Sequence, residues 1–500
     1  MGVVLACDLG GSSFRMALID RTGQILAQHG ISTGLAQNQH GLSEIDPQTW
    51  WTTFGVCIEA IQHVNPRAFA DIKGLAVCGF TRTQVFLGHD GNILRPAMTW
   101  QDSRAEELVA NLRALLPADH PETRQVNVFH PLARLYWLQK HEPETLSRLD
   151  RILDPKDYLA FRLTGALYSD PVSLARLLAA SKQGPDGRSL MAAIGLPETF
   201  LPALVHPTSR VGIVQAGLGG PLDGLAGKPV FACSNDTWAS VLGLGAMRDG
   251  VAYNISGTTE VFGVLSAKPA EAEGLLSVDW NGLHQLGGPG QNGADTARWL
   301  MGLLQADQTT QDIGAALNGL LDARRDPQPL LFLPYLNGER TPYWNPALRG
   351  AFIGLNRNHG PTDLAYAVLE GIAFYNRIIL ERAEAATGQR VREIRFGGGG
   401  ADTSVWRQIK ADICGRPVVV SQTRETGLLG TAAVAWTGLG IFETLEAAQS
   451  ALVRTDARCE PDAKRAELYD ELFKQFRAAE TALSPVSAAL VAISSFVSGG

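Results

Sequence analysis

Five hundred residues exceed what one ordinary hydrophobic core accommodates, so two large domains are expected. The hydrophobic fraction of 45% suits a soluble globular chain, and a net charge of -7 without a long basic tract argues against nucleic acid or an acidic membrane as partner. Six scattered cysteines (Cys7, Cys57, Cys78, Cys233, Cys414 and Cys459) with no C-x-x-C suggest neither a zinc site nor a disulfide framework and fit a reducing cytoplasm. No basic leader precedes the first apolar run, and no apolar run reaches the length of a bilayer span.

In chain order, residues 3–9 predict a buried strand carrying Asp8 near its end. Gly10, Gly11, Ser12 and Ser13 form a turn, 14–20 a second strand and 24–27 a third, together a β-meander. A helix is expected over 47–64, with Asp46 as cap and Pro47 in its first turn. Strands follow at 72–78 and 83–87, and helices at 104–116, 132–141 and 155–163. Residues 205–229 are rich in Gly and Pro and read as loops around a short strand at 211–214. The central stretch is an apolar strand, 230–233, broken by Ser234 and Asn235, with Asp236 leading into a small-residue helix over 239–246. Locally Asp236 reads as a helix cap. The carboxyl end of a strand in an α/β sheet is also where ligands collect.

The second half opens as the first does. A strand at 251–255, a turn of Ser256, Gly257, Thr258 and Thr259, and a strand at 261–265 are consistent with a duplicated architecture. Helices are expected at 292–304, 361–386 and 404–414, and a strand at 394–396 runs into four glycines, 397–400. A strand at 418–420, a packed helix at 427–438 and an amphipathic helix at 461–482 complete the chain, whose last dozen residues read as frayed. The expected domains are 1–247 and 248–488, with 489–500 as a tail.

Three glycine-rich turns, at 10–13, 256–259 and 397–400, bring backbone N–H groups and hydroxyls to places where an anion could be held. The chain has no G-x-x-x-x-G-K-[ST], so it is not a P-loop enzyme. It does contain one G-x-G-x-x-G, Gly288 to Gly293, which taken literally suggests a dinucleotide oxidoreductase. The simpler reading of that stretch is a loop before a helix, because Pro289 stiffens a segment that would have to wrap a pyrophosphate.

Taken together, several ordered motifs resemble the FGGY family of carbohydrate kinases, in its xylulokinase-like branch, over nearly the whole chain. Asp8-Leu-Gly-Gly-Ser-Ser-Phe-Arg15 resembles the family's first phosphate motif and Thr99-Trp-Gln-Asp-Ser-Arg104 its W-x-D-x-R segment. Pro131 to Leu138 resembles the first signature, and Asp154-Pro-Lys-Asp-Tyr-Leu159 with Leu163-Thr-Gly165 the segment after it. Ser234-Asn-Asp236 stands where the family keeps its catalytic aspartate. Ser256-Gly-Thr258 resembles the second phosphate motif, Pro334 to Pro342 the region of the second signature, and Gly397 to Asp412 the adenosine motif.

The resemblance implies an α/β fold of two actin-like, hexokinase-like (ribonuclease H-like) domains around a central cleft. It implies ATP and Mg²⁺ as cofactors and a small sugar or polyol as substrate, with no nucleic-acid or membrane partner and a homodimer as an admissible assembly. Asp236 would be the general base. Arg82, Thr83, Gln84, Trp100, Asp102, Asp236 and Thr237 would line the sugar. Gly10, Gly11, Ser12, Ser13, Arg15, Gly257, Thr258, Thr259, Gly293, Gly398, Gly399, Gly400 and Thr403 would hold the nucleotide, and Asp8 with Asp236 would face the metal. Beside the resemblance, the chemistry agrees: phosphoryl transfer to a hydroxyl needs positioning and charge neutralisation, and a carboxylate can accept the hydroxyl proton.

Three departures stand out. Gly11 replaces the usual Thr, and Arg134 replaces the usual Lys of the first signature. In Cys78-Gly-Phe-Thr-Arg-Thr-Gln-Val-Phe86, Arg82, Thr83 and Gln84 occupy the stretch where xylulokinases carry Ser-Gly-Gln-Met-His-Gly. The leading expectation is an ATP-dependent kinase of a ketopentose such as xylulose. Beside it stand a kinase of glycerol, erythritol or fuculose type, a catalytically reduced sugar- or nucleotide-binding regulator, and the dinucleotide enzyme.

Overall fold

A computed structural model describes residues 2–11, 13–33, 41–304 and 313–497. The chain forms two compact units: Met1–Gly243 with Glu425–Val453, and Leu244–Arg424 with Arg454–Gly500. The return of 425–453 to the first unit differs from the contiguous second domain expected over 248–488. Its physical reason is a backbone-to-backbone helix contact. A Cβ on Gly243 would lie 1.8 Å from the Thr426 carbonyl oxygen, and one on Gly430 1.9 Å from that of Ala239. Glycine at both places lets the helices Asp236–Gly243 and Thr426–Gly438 touch without side chains between them.

The first unit is built on a six-stranded sheet. In spatial order its strands are Arg210–Ile213, Pro229–Phe231, Ile72–Gly79, Val3–Leu9, Ser13–Asp20 and Ile25–Ser32. The three strands Pro229–Phe231, Ile72–Gly79 and Val3–Leu9 are mutually parallel, and the outer pairings are antiparallel. Helix Pro47–Val64 covers one face, burying Trp50, Phe54, Ile58 and Ile61 against Leu5, Cys7, Phe14 and Leu75. Asp46 caps it as expected, accepting from the Gln48 N–H at 2.9 Å.

The second unit repeats the pattern with seven strands, ordered Leu276–Asp279, His284–Pro289, Glu260–Ser266, Val251–Ser256, Glu393–Gly397, Val418–Ser421 and Thr455–Cys459. Again an antiparallel hairpin opens the unit, its first strand pairs in parallel with a later one, a second parallel strand follows, and an antiparallel strand closes that edge. The duplication suggested by two similar hairpins is thus present in the whole order and sense of the sheets.

The C-terminus departs from expectation. A single helix, Ala463–Val497, runs on through Pro485 where a frayed tail was expected. Its first half packs Tyr469, Phe473 and Phe476 around Phe374. Farther along, Val486, Leu490 and Ile493 are exposed. By length and composition this one helix could cross a membrane, at a mean hydropathy of 1.2 in its most apolar window, contrary to the sequence expectation. The first half presents one apolar stripe to the protein, as a surface helix does, whereas only 11% of the most apolar window is buried.

Candidate functional site

In the first unit the carboxyl ends of three adjacent parallel strands gather the chemistry. Asp8 lies opposite Cys78 in parallel register, and Gly79 bridges to Asn235. Asp8, the 79–84 segment and Asp236 therefore leave the sheet side by side, at the edge where such sheets bind ligands. Cys233, just before Asp236, has φ 56, a left-handed backbone that a non-glycine residue adopts only when its surroundings impose it. Its N–H donates to the Pro207 carbonyl at 2.8 Å, and Ser234 Oγ donates to Asp170 Oδ1 at 2.8 Å. Asp170 in turn pairs with Lys156 Nζ at 2.9 Å, which also meets Asp157 Oδ1 at 2.5 Å. This buried network anchors the turn before Asp236. Its signal was in the sequence, as the Asp154-Pro-Lys-Asp stretch.

The cap of the following helix is Asn235, whose Oδ1 accepts from the Trp238 N–H at 2.9 Å. This corrects the local reading of Asp236 as the cap: the helix begins earlier than expected, and Asp236 sits in its first turn. Asp236 Oδ1 accepts from the Thr237 N–H at 2.6 Å and from its hydroxyl at 3.3 Å. Thr237 thereby orients the carboxylate. Burial pushes the Asp236 carboxyl above the ordinary carboxylate range, against the pull of those Thr237 donors.

Asp8 is pushed up to about 7, first by burial and next by the Asp236 charge, with the Cys78 thiol and Arg15 opposing. The thiol donates to Asp8 Oδ1 at 3.4 Å. Two carboxylates that repel one another, offering oxygen donors only, suit a hard divalent cation. Among the described residues no group of three or more His, Cys, Asp or Glu side chains could hold a metal unaided. The pair fits an ion that keeps waters and takes its other oxygens from a bound phosphate.

One close neighbour of Asp8 was not singled out from the sequence. A Cβ on Gly427, in the first turn of helix Thr426–Gly438, would lie 2.4 Å from Asp8 Oδ2. Only a tertiary return could bring residue 427 to residue 8. Glu425, which precedes that helix, pairs with Arg15 at 3.2 Å, and Arg15 Nε donates to Ser13 Oγ at 3.0 Å. Gly10 closes its turn by donating to the Ser13 carbonyl at 3.0 Å. Gly11 is at the same turn, and Ser12 lies outside the described residues.

Of the expected sugar-contacting residues, Arg82 and Thr237 are half-buried and Trp100 is exposed. Thr83, Gln84 and Asp102 are fully buried, and their polar atoms are engaged within the protein. Thr83 Oγ1 accepts from the Trp100 N–H at 3.1 Å, and Gln84 binds Arg134 and the Pro131 carbonyl. Asp102 Oδ2 accepts from the Ser43 N–H at 2.7 Å and pairs with Arg104 at 2.7 Å.

In the second unit the Ser256–Glu260 turn is the hub. Gly257 donates to the Thr259 carbonyl at 3.0 Å, and its own carbonyl accepts from the Ala294 N–H at 2.9 Å. Thr258 is exposed and Thr259 half-buried. Gly293 packs so tightly that a Cβ would lie 2.4 Å from the Thr259 carbonyl carbon. Gly398, at φ 81, would place a Cβ 2.4 Å from the Ser256 carbonyl oxygen, and Gly400 would place one 2.6 Å from the Trp406 ring. Gly399 is exposed with open space around it, and Thr403 is buried at the start of helix Ser404–Cys414. Gly293, Gly398 and Gly400 thus pack against one turn.

Beneath them Lys410 Nζ pairs with Glu260 Oε1 at 2.7 Å, donates to Asn376 Oδ1 at 2.5 Å, and lies over the Phe396 and Trp406 rings. Lys410→Met leaves the Glu260 carboxylate buried without its cation, and should lower unfolding free energy by about 3–5 kcal/mol in urea titration. Glu260→Met added to it should recover part of that loss.

The Gly288–Gly293 stretch is not a dinucleotide fingerprint. Gly288 and Pro289 end a strand paired antiparallel with Glu260–Ser266, whereas that fingerprint needs a parallel βαβ unit. The loop is instead held by Glu339, which lies within the Pro334–Pro342 stretch. Its Oε1 accepts from the Gln291 N–H at 2.5 Å and the Arg340 N–H at 2.9 Å, and its Oε2 from Asn292 Nδ2 at 3.0 Å. Burial raises its carboxyl from 4.5 to about 7, against those donors. A folded-state pKa above the unfolded value means the folded protein binds the extra proton. That stabilisation is complete below pH 4.5 and is lost as pH rises through about 7. Urea titrations from pH 4.5 to 8 should show Glu339→Gln gaining on the wild type with rising pH, by up to about 3 kcal/mol. A pH-independent difference would remove this assignment.

The chain is similar to known proteins over nearly its whole length. The model of the N-terminal domain of the FGGY family of carbohydrate kinases matches residues 3–243, and that of its C-terminal domain residues 252–439. The chain is 30% identical to the xylulose kinase of Escherichia coli (strain K12), over 97% of this chain and 100% of that protein. It is 28% identical to a xylulose kinase of Staphylococcus epidermidis, over 98% and 99%. The crystal structure of xylulose kinase from Rhodospirillum rubrum superposes with a TM-score of 0.84 at 27% identity, covering 97% of this chain and 99% of that one.

Proposed function

Because the chain belongs to the FGGY family of carbohydrate kinases, we propose that it transfers the terminal phosphoryl group of ATP to a hydroxyl of a small ketose of the xylulose class. The observation that carries this reading is Asp236: a carboxylate at the carboxyl ends of parallel strands, raised by burial and oriented by Thr237.

In this reading Asp236 accepts the proton of the attacking sugar hydroxyl as the oxygen bonds to phosphorus. Transfer runs through a loose transition state, so the base acts late and its chief service is alignment. Asp8, with Asp236 beside it, would hold Mg²⁺, which neutralises phosphate charge when bound. Thr258 and Thr259 donate to phosphate oxygens, and the Gly398–Gly400 turn leaves room for the nucleotide. Arg82, Trp100 and Thr237 meet the sugar, while Thr83, Gln84 and Asp102 hold those contacts in place.

The test is a coupled assay of ADP release over a panel of pentuloses, hexuloses, erythritol and glycerol. The expected result is sugar-dependent turnover strongest with a ketopentose. A folded, ATP-binding protein that releases no ADP with any member would remove the kinase reading, and a strongest response to a polyol would move the substrate class.

A further inference from the structure

Two departures of this chain from the xylulokinase pattern, distant in sequence, touch each other in the fold. Arg134 stands where the resemblance expects a lysine, and Gln84 lies in the Cys78–Phe86 stretch that departs from the xylulokinase motif. Arg134 Nε donates to Gln84 Oε1 at 2.8 Å. Its Nη2 donates to the Arg82 carbonyl at 2.5 Å and its Nη1 to the Thr99 carbonyl at 3.1 Å. Gln84 Nε2 completes the bracket by donating to the Pro131 carbonyl at 3.2 Å. Arg134 is wholly buried, and every acceptor in these bonds is uncharged. One guanidinium thus joins helix Pro131–His141 to both segments expected to face the sugar, 82–84 and 99–102. A lysine's three donors radiate from one nitrogen at the end of a flexible stem, whereas the planar fork reaches these acceptors from three separate nitrogens in a fixed geometry.

The backbone explains what the bracket is for. Arg82 has φ 59, a left-handed conformation unfavourable for an arginine. Its carbonyl is held by Arg134, and Thr83 and Gln84 after it are locked by Trp100 N–H, Met98 and Arg134. Strain that the surroundings impose at a single residue is worth holding when it presents that residue's side chain. Arg82 is half-buried, whereas Thr83 and Gln84 are sealed.

We infer that Arg134, acting through Gln84, is a positioning residue that sets sugar specificity by holding Arg82 in its strained presentation. The inference rests on the proposed sugar-binding role of the 82–84 segment. Arg134 does not touch the sugar.

The experiment measures sugar binding by calorimetry without ATP, alongside turnover, in wild type, Arg134→Lys, Gln84→Leu, the double variant and Gln84→Glu. The sugar used is the best member of the panel above. Each of the first two substitutions should weaken sugar binding about 10-fold or more while leaving the KM for ATP within about 2-fold. The double variant should be no worse than the weaker single, because both break one bracket. Gln84→Glu keeps the acceptor for Arg134 but loses the donor to the Pro131 carbonyl, so it should weaken sugar binding less than Gln84→Leu and keep the wild-type order of preference among sugars. Wild-type sugar affinity in folded Arg134→Lys or Gln84→Leu would overturn the inference. So would additive losses, or an equal rise in the ATP KM, which would indicate general structural damage. Sugar binding without turnover in the wild type would sink the kinase reading and leave this inference tested by binding. Absence of sugar binding in the wild type would sink both.

Discussion

Replacing Asp236 by asparagine is expected to lower kcat by about 10²–10⁴-fold, the range a positioned general base supplies. The substitution is close to isosteric. Asparagine Oδ1 can still accept from the Thr237 N–H, which Asp236 does at 2.6 Å, and Asn235 continues to cap the helix. The thermal midpoint should therefore stay near or above the wild-type value, since burial disfavours the charge that is removed. ATP affinity, measured by titration, should hold within a few-fold. Near-normal turnover in this variant would eliminate Asp236 as the base. A collapse of folding together with turnover would mean that the carboxylate was structural.

The second large effect is expected from one methyl group. Gly427→Ala places a Cβ 2.4 Å from Asp8 Oδ2, well inside van der Waals contact. The Asp8 backbone is held by pairing on both sides in the middle of the sheet, so the carboxylate itself must turn away from the added methyl group. Overpacking of this kind costs about 1–3 kcal/mol, and a displacement near 1 Å at a reacting centre can cost about 10² in rate. The expected outcome is a modest drop in thermal midpoint, a large drop in kcat, and a raised Mg²⁺ requirement. Gly302→Ala, in a helix where an added Cβ meets nothing within 4 Å, serves as the control and should leave all three unchanged. If Gly427→Ala behaved like that control, the contact between the helix and Asp8 would have no functional weight.

Lys410, Glu339 and Arg134 extend the same logic to groups away from the reacting atoms. Each is buried, and each holds a turn that carries expected ligand contacts: the Thr258–Thr259 turn, the 290–293 loop and the 82–84 segment. Their measurements are stability against urea, stability against pH and sugar affinity, so a failure of one leaves the others standing.

The sequence by itself determined a good deal. Apolar runs and turn residues located the Val3–Leu9 strand, the Pro47–Val64 helix with its Asp46 cap, and the central strand before Asp236, because these are set by local periodicity and local hydrogen bonds. Ordered short motifs also identified the family. Only the tertiary structure decided where long-range partners fall. Asn235 rather than Asp236 caps the central helix because the helix starts earlier than its small-residue pattern suggests. Thr83, Gln84 and Asp102 turned inward because buried polar atoms must find partners, and those partners lie up to 59 residues away in Ser43, Trp100 and Arg134. The return of 425–453 to the first unit, which sets Gly427 against Asp8, depends on a helix crossing that leaves no periodic trace, only glycines at 243, 427 and 430. Local patterns specify elements, whereas the atoms that share a buried charge or a van der Waals contact are chosen by packing.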